Sequence, residues 1–131
     1  MTVLGFLFDL MDEPDILDLA QATRELDRLS VQLCGMVEEY GEAKLIIEYD
    51  SERRKSALSR AVMKAFKDGA DSTTKAEHMA RCSVSFEEDM KTLGRHLAHA
   101  EKVRFKFDSS KIRVEALRSR ISATKSAIQV Q

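Results

Sequence analysis

The chain has 131 residues, a third of them charged, with one Pro, no Trp, and 21 basic against 22 acidic side chains for a formal charge of −1. That length sets one domain, and the composition is that of long helices, in which Ala, Leu, Glu, Lys and Arg dominate. A balanced net charge by itself predicts no polyanion partner, and no stretch reaches the ~20 apolar residues of a membrane span.

Residues 1–12 carry Leu4, Phe6, Leu7 and Phe8, more apolar surface than a free tail should show. They lack the basic leading region and small-residue cleavage site of a signal peptide, so the expectation is a docking segment on a soluble, cytoplasmic protein. Asp12-Glu13-Pro14-Asp15 then reads as a helix start, because Pro is tolerated in the first turn and acids suit the positive end of the helix dipole. The seam that follows is Leu19, Ala22, Leu26, Leu29, Leu33, Met36, Tyr40, Ala43 and Ile47, with alternating steps of three and four residues. Such a heptad stripe needs a covering surface, which makes Leu26, Leu29 and Leu33, with Leu4, Phe6, Leu7 and Phe8, candidate contacts to a partner or a second copy.

Nothing forbids continuous helix from 13 to 67, with Gly35 and Gly41 as its weak points, each disfavoured by roughly 1 kcal/mol relative to Ala. Beyond Ile47 the seam becomes polar at Asp50 and Arg54, then recovers at Leu58, Ala61 or Val62, and Ala65 or Phe66, with Phe66 read as core. Residues 68–73, Asp-Gly-Ala-Asp-Ser-Thr, form the one clear turn. Thr74-Lys75-Ala76-Glu77 fits a capping box that opens a second helix over 74–131. The second seam is Met79, Ser83, Phe86, Met90, Leu93, Leu97, Ala100, Val103, Phe107, Ser110, Val114, Leu117, Ile121, Thr124 and Ile128. Successive three-residue steps at Leu97, Ala100 and Val103 resemble a stammer.

A short turn between long helices makes them antiparallel neighbours. The expected fold class is therefore all-α: a 1–12 docking segment and, over 13–131, a long antiparallel, coiled-coil-like helical hairpin assembled into a homo-oligomeric bundle or ring. If the numbers of facing residues add to about 141, Ala65 meets Ala76, and Ser51 to Lys55 lie beside Glu87, Glu88 and Asp89, bases against acids. Exposed pairs of this kind contribute only about 0 to 1 kcal/mol each, enough to select a register.

Charge is unevenly spread. Residues 1–50 hold 12 acids and 3 bases, a charge of −9, and residues 102–131 hold 8 bases and 2 acids, a charge of +6, so the C-terminal helix is either neutralised by the acidic arm within or between subunits or free to bind polyanions. The tip differs: Arg53, Arg54, Lys55, Arg60, Lys64, Lys67, Lys75 and Arg81 face only Asp68, Asp71 and Glu77, a charge of +5 around one turn. Phosphate backbones are held by flexible cations without base-reading geometry, so these eight residues form a candidate nucleic-acid surface, salt-sensitive and largely sequence-blind.

No signal for catalysis is present: the chain has no phosphate-binding Gly loop, no nucleophile elbow and no Cys/His arrangement of that kind. An enzyme and a cofactor are not expected. His78, His96 and His99 lack a Glu three residues before them, as a two-metal bundle requires, and His96 with His99 has no third ligand, so no metal site is assigned. Cys34 and Cys82 have neither metal-knuckle nor redox-pair spacing and read as reduced thiols.

The run Glu48-Tyr49, Arg54-Lys55-Ser56-Ala57-Leu58-Ser59-Arg60 and Phe66-Lys67-Asp68-Gly69 precedes a Ser/Glu-rich helix that ends in Ala116-Leu117-Arg118-Ser119-Arg120-Ile121. Over residues 40–128 this pattern resembles the UvsY-type recombination mediators of tailed bacteriophages, small all-helical proteins with a basic Lys/Arg-Ala-Leu segment before a Gly/Asp turn. The resemblance implies a phage-encoded, ring-like homo-oligomer in the host cytoplasm. It would bind single-stranded DNA, displace a single-strand-binding protein and load a RecA-like recombinase, with Lys55, Arg60, Lys64 and Lys67 as phosphate contacts. The acidic first 50 residues depart from that pattern. The alternative expectation is a structural or adaptor coiled coil that binds protein through its seams and apolar N-terminus.

Overall fold

The computed structural model describes residues 18–130, which are all-α: four helices and, among these residues, no strand. Helix α1 spans Leu19–Gly35, α2 Val37–Lys67, α3 Thr73–Cys82 and α4 Val84–Val130. The apolar segment 1–12 and the expected helix start at 13–17 lie outside the described residues. Among the described residues no helix is long and apolar enough to cross a membrane.

Most boundaries have a local chemical cause. Asp18 opens α1, its Oδ1 accepting from the backbone N–H groups of Ala20 at 3.1 Å and Gln21 at 3.3 Å. The helix expected to run unbroken to 67 is divided at Met36, directly after Gly35, although Met36 keeps right-handed helical dihedrals (φ −93°, ψ −10°). Helix α2 ends at Gly69, whose φ of +110° suits a residue without a Cβ. There the N–H of Ala70 donates to the Ala65 carbonyl at 3.0 Å and that of Gly69 to Phe66 at 3.2 Å, the double closure of a Schellman motif.

The expected capping box at Thr74 does not form. Ser72 is the cap of α3, accepting from the Lys75 N–H at 3.2 Å, and helix begins at Thr73. Its third residue is Lys75, which has no carboxylate to return the bond. The expected single second helix is also broken, at Ser83, where the backbone is extended (φ −73°, ψ 141°). The Ser83 hydroxyl donates to the Ala80 carbonyl at 2.8 Å and accepts from the Phe86 N–H at 3.2 Å, so one side chain closes α3 and caps α4.

The described residues form two compact units, one of 36–107 and one of 18–35 with 108–130. In the first, Ala43 of α2 clusters with Ala100 and Val103 of α4, flanked by Ile46 and Ile47. Tyr40 stacks on Phe107 with ring centroids 4.0 Å apart, and Arg54 reaches Met90. Positions ascend along α2 as they descend along α4, which is antiparallel packing. Helical side chains lean toward their own N-terminus, so Tyr40 and Phe107 meet although their numbers exceed the expected sum. In the second unit Ala22 and Leu29 of α1 and Val114 and Ile121 of α4 are buried. The Glu25–Arg28 ion pair of this unit is exposed; the hydrogen bond from Arg28 holds the Glu25 carboxyl below its ordinary value, with attraction from Arg28 and Arg113 adding to it.

The buried side chains are mostly small. Ala22, Ala43, Ala57, Ala65, Ala76, Ala80 and Ala100 are buried, and among the described residues no large side chain is fully enclosed. Both seams follow this burial, with every described member at least half-buried except Met79 and Ile128. Phe66 corrects the expectation: it is 44% exposed, because Ala57, Ala61 and Ala65 occupy the inward line of α2.

Candidate nucleic-acid interface

A helix turns through about 100° per residue, so Arg53, Arg60, Lys64 and Lys67 fall within about 60° of one another on α2. They form one stripe along about 21 Å of helix axis. All four are exposed, and none has an ion pair or side-chain hydrogen bond among the described residues. Lys64 and Lys67 also occupy the last turn of α2, where cations complement the helix dipole.

The other four candidate cations sit apart from this stripe. Arg54 turns inward: its side chain is 37% exposed, Nε donates to Asp50 at 2.9 Å, and Nη1 lies 3.8 Å from the Met90 sulfur. Lys55 pairs with Glu52 at 3.5 Å and Lys75 with Asp71 at 3.2 Å. Arg81 is exposed at the end of α3 without a partner among the described residues. Of the acids expected to answer Ser51 to Lys55, Asp89 shares a groove with Arg53, but the close pairs run along single helices: Arg54 to Asp50, Lys55 to Glu52, Lys91 to Glu87. A bond four residues away requires no cross-helix reach, so the local partner wins.

The stripe borders two depressions between α2 and the following helices, with Arg60 and Asp89 in the lining of both. One, about 300 Å³, is bounded by Arg60, Lys64 and Asp68 of α2 and by Met79, Ser83 and Asp89 opposite. The other, about 450 Å³, is bounded by Tyr49, Arg53, Ser56 and Arg60 on one side and by Asp89, Thr92 and Leu93 on the other. Arg53, Arg60 and Lys64 thus line the depressions together with Glu52, Asp68 and Asp89, so both signs of charge meet there.

Of the candidate partner contacts, Leu29 is buried and Leu26 and Leu33 are half-buried within their own unit. Leu4, Phe6, Leu7 and Phe8 lie outside the described residues. His99 comes within 3.9 Å of Glu39 across α2 and α4, and His78 within 4.0 Å of Cys82, but among the described residues no group of three or more His, Cys, Asp or Glu converges on a point.

Two features of this face follow from residue spacing alone. The shared phase of residues 53, 60, 64 and 67 follows from helix geometry once α2 is drawn, and Tyr49, exposed at the head of the stripe, belongs to the same face. An all-α chain with a cationic helix ridge beside a mixed polar groove is the class these observations define. Compared with known proteins, the chain matches no family model, no curated protein and no solved structure.

Proposed function

We propose that this chain is a nonspecific single-stranded-DNA-binding accessory of recombination or replication. The observation that carries the reading is the ridge of Arg53, Arg60, Lys64 and Lys67, four exposed cations in one phase with no partner among the described residues. A solvated helix face would normally intersperse acids among such bases. Here no acid stands between Arg53 and Lys67 in the sequence, which leaves these cations available to phosphates. Together with the UvsY-like run, this supports a phage-encoded mediator in the host cytoplasm that loads a RecA-like recombinase against a single-strand-binding protein.

The accompanying architecture in this proposal is a long antiparallel hairpin assembled as a homo-oligomer. Supporting it, the enclosed side chains are small, while Val31, Leu45, Met63, Phe105 and Ile112 remain largely exposed. The same apolar exposure favours a second reading, an adaptor coiled coil that binds protein and has no affinity for DNA.

The test is binding of a fluorescent oligothymidylate across a salt series, with duplex of equal length as control. Four phosphate contacts on a single strand give a slope of about −3 in log affinity against log salt, or about 50-fold weaker binding from 50 to 200 mM. Changing Arg53, Arg60, Lys64 and Lys67 to Glu should abolish binding while the circular dichroism of the helices is retained. Unchanged affinity in that variant would refute the ridge as the site, and absence of binding by the folded wild type would favour the adaptor.

A further inference from the structure

The geometry points to Tyr49 and the groove beside it as a receptor for an unpaired nucleobase, with the phosphates held on the adjoining ridge. This inference rests on the single-strand reading above and deepens it by assigning where a base goes.

Tyr49 is 49% exposed and stands one helical turn before Arg53 on the ridge side of α2. Its ring makes no stacking contact among the described residues and its phenol no hydrogen bond, whereas the only other tyrosine, Tyr40, has a face covered by Phe107 at 4.0 Å. The groove that Tyr49 lines is lined as well by Leu93, by Ser56 and Thr92, by the carboxylates of Glu52 and Asp89, and by Arg53 and Arg60. The charged groups sort the two halves of a nucleotide, while the hydroxyls of Ser56 and Thr92 can serve either. Glu52 and Asp89 repel a phosphate and Arg53 and Arg60 attract it, so the backbone is held at the arginines. A neutral base meets no such repulsion: its ring stacks on the phenol, its apolar face meets Leu93, and its N–H groups donate to carboxylate and hydroxyl oxygens.

Selection against duplex follows directly. Bases within a duplex are stacked and paired, so none can enter the groove without unpairing, and duplex would be limited to the ridge contacts. Every base has a π-face and at least one N–H donor, so the groove accepts a base without demanding its identity.

The experiment uses the full-length protein with two fluorescent single strands of equal length, oligothymidylate and its abasic counterpart, which carry the same phosphates. The wild type should bind oligothymidylate at least about fivefold more tightly than the abasic strand, the lower bound for one stacked base. Tyr49→Ala should lower oligothymidylate affinity to the abasic level with an unchanged salt slope, and Tyr49→Phe should restore it. Tyrosine emission should be quenched on binding by the wild type. Equal affinity of the wild type for the two strands would overturn the inference, and that comparison requires no variant to fold. If Tyr49→Ala binds oligothymidylate normally while the ridge reversal does not, the base site is refuted and the single-strand reading survives. If the wild type binds neither strand, both are refuted.

Discussion

Alanine dominates the buried positions of the 36–107 unit, and its size sets how closely the helices approach. Ala43 and Ala100 lie in one cluster with Val103 and are almost fully enclosed. A side chain that ends at Cβ leaves no slack to absorb extra atoms, so the pair acts as a spacer between α2 and α4. Ala100→Leu should therefore destabilise the fold by about 1–3 kcal/mol through overpacking. Ala98→Leu, two residues away at an exposed position of the same helix, should be nearly neutral. Thermal or urea unfolding of the two variants side by side checks this, and equal stabilities would show that the helices can part at Ala100 without loss.

At the scale of elements, α3 and α4 owe their separation to one hydroxyl. Ser83 both accepts from the Phe86 N–H and donates to the Ala80 carbonyl, so the polar groups freed by the extended backbone have partners. Ser83→Ala leaves the Phe86 N–H without its cap, while the Ala80 carbonyl keeps the backbone N–H of residue 83 at 3.1 Å, and should lower stability by about 1 kcal/mol, the usual effect of losing a cap. Amide hydrogen exchange should speed up at Phe86 and its neighbours more than in the middle of α2. Uniform exchange after the substitution would mean that packing alone maintains the break. Helix α2 shows a second consequence of phase. One face carries the Ala line, another the cation ridge, and Arg54, one residue after Arg53, is turned about 100° to meet Asp50 and Met90. Adjacent arginines thereby take different roles, one structural and one available to a ligand.

At the scale of the whole molecule, a core made largely of Ala removes little apolar area per residue, and burial stabilises by only about 25 cal/mol per Å². Exposed Val31, Leu45, Met63, Phe105 and Ile112 leave further apolar surface to be covered. Self-association should cover it, and sedimentation equilibrium should give a mass that is a multiple of the 14.8 kDa chain. Dilution should then lower the melting temperature, because dissociation and unfolding become linked. A concentration-independent monomer would remove the oligomer from the proposed architecture.

Helical class, both heptad seams, the turn at Gly69 and the cationic tip could be read from residue spacing, because periodicity and turn chemistry are local properties of the chain. The all-α class and the half-buried or buried state of nearly every seam residue agree with that reading. Tertiary structure decided what spacing leaves open. It chose Ala57, Ala61 and Ala65 over Phe66 for the inward line, moved the α3 cap from Thr74 to Ser72, and opened the chain at Ser83. It also divided eight candidate cations into a free ridge of four, with Arg81 apart, and three held by nearby acids. The physical reason is the same in each case. A heptad pattern specifies which edge of a helix is covered, but the closeness of the neighbouring helix selects the side chains that fit, and only then is it settled which charges remain in water.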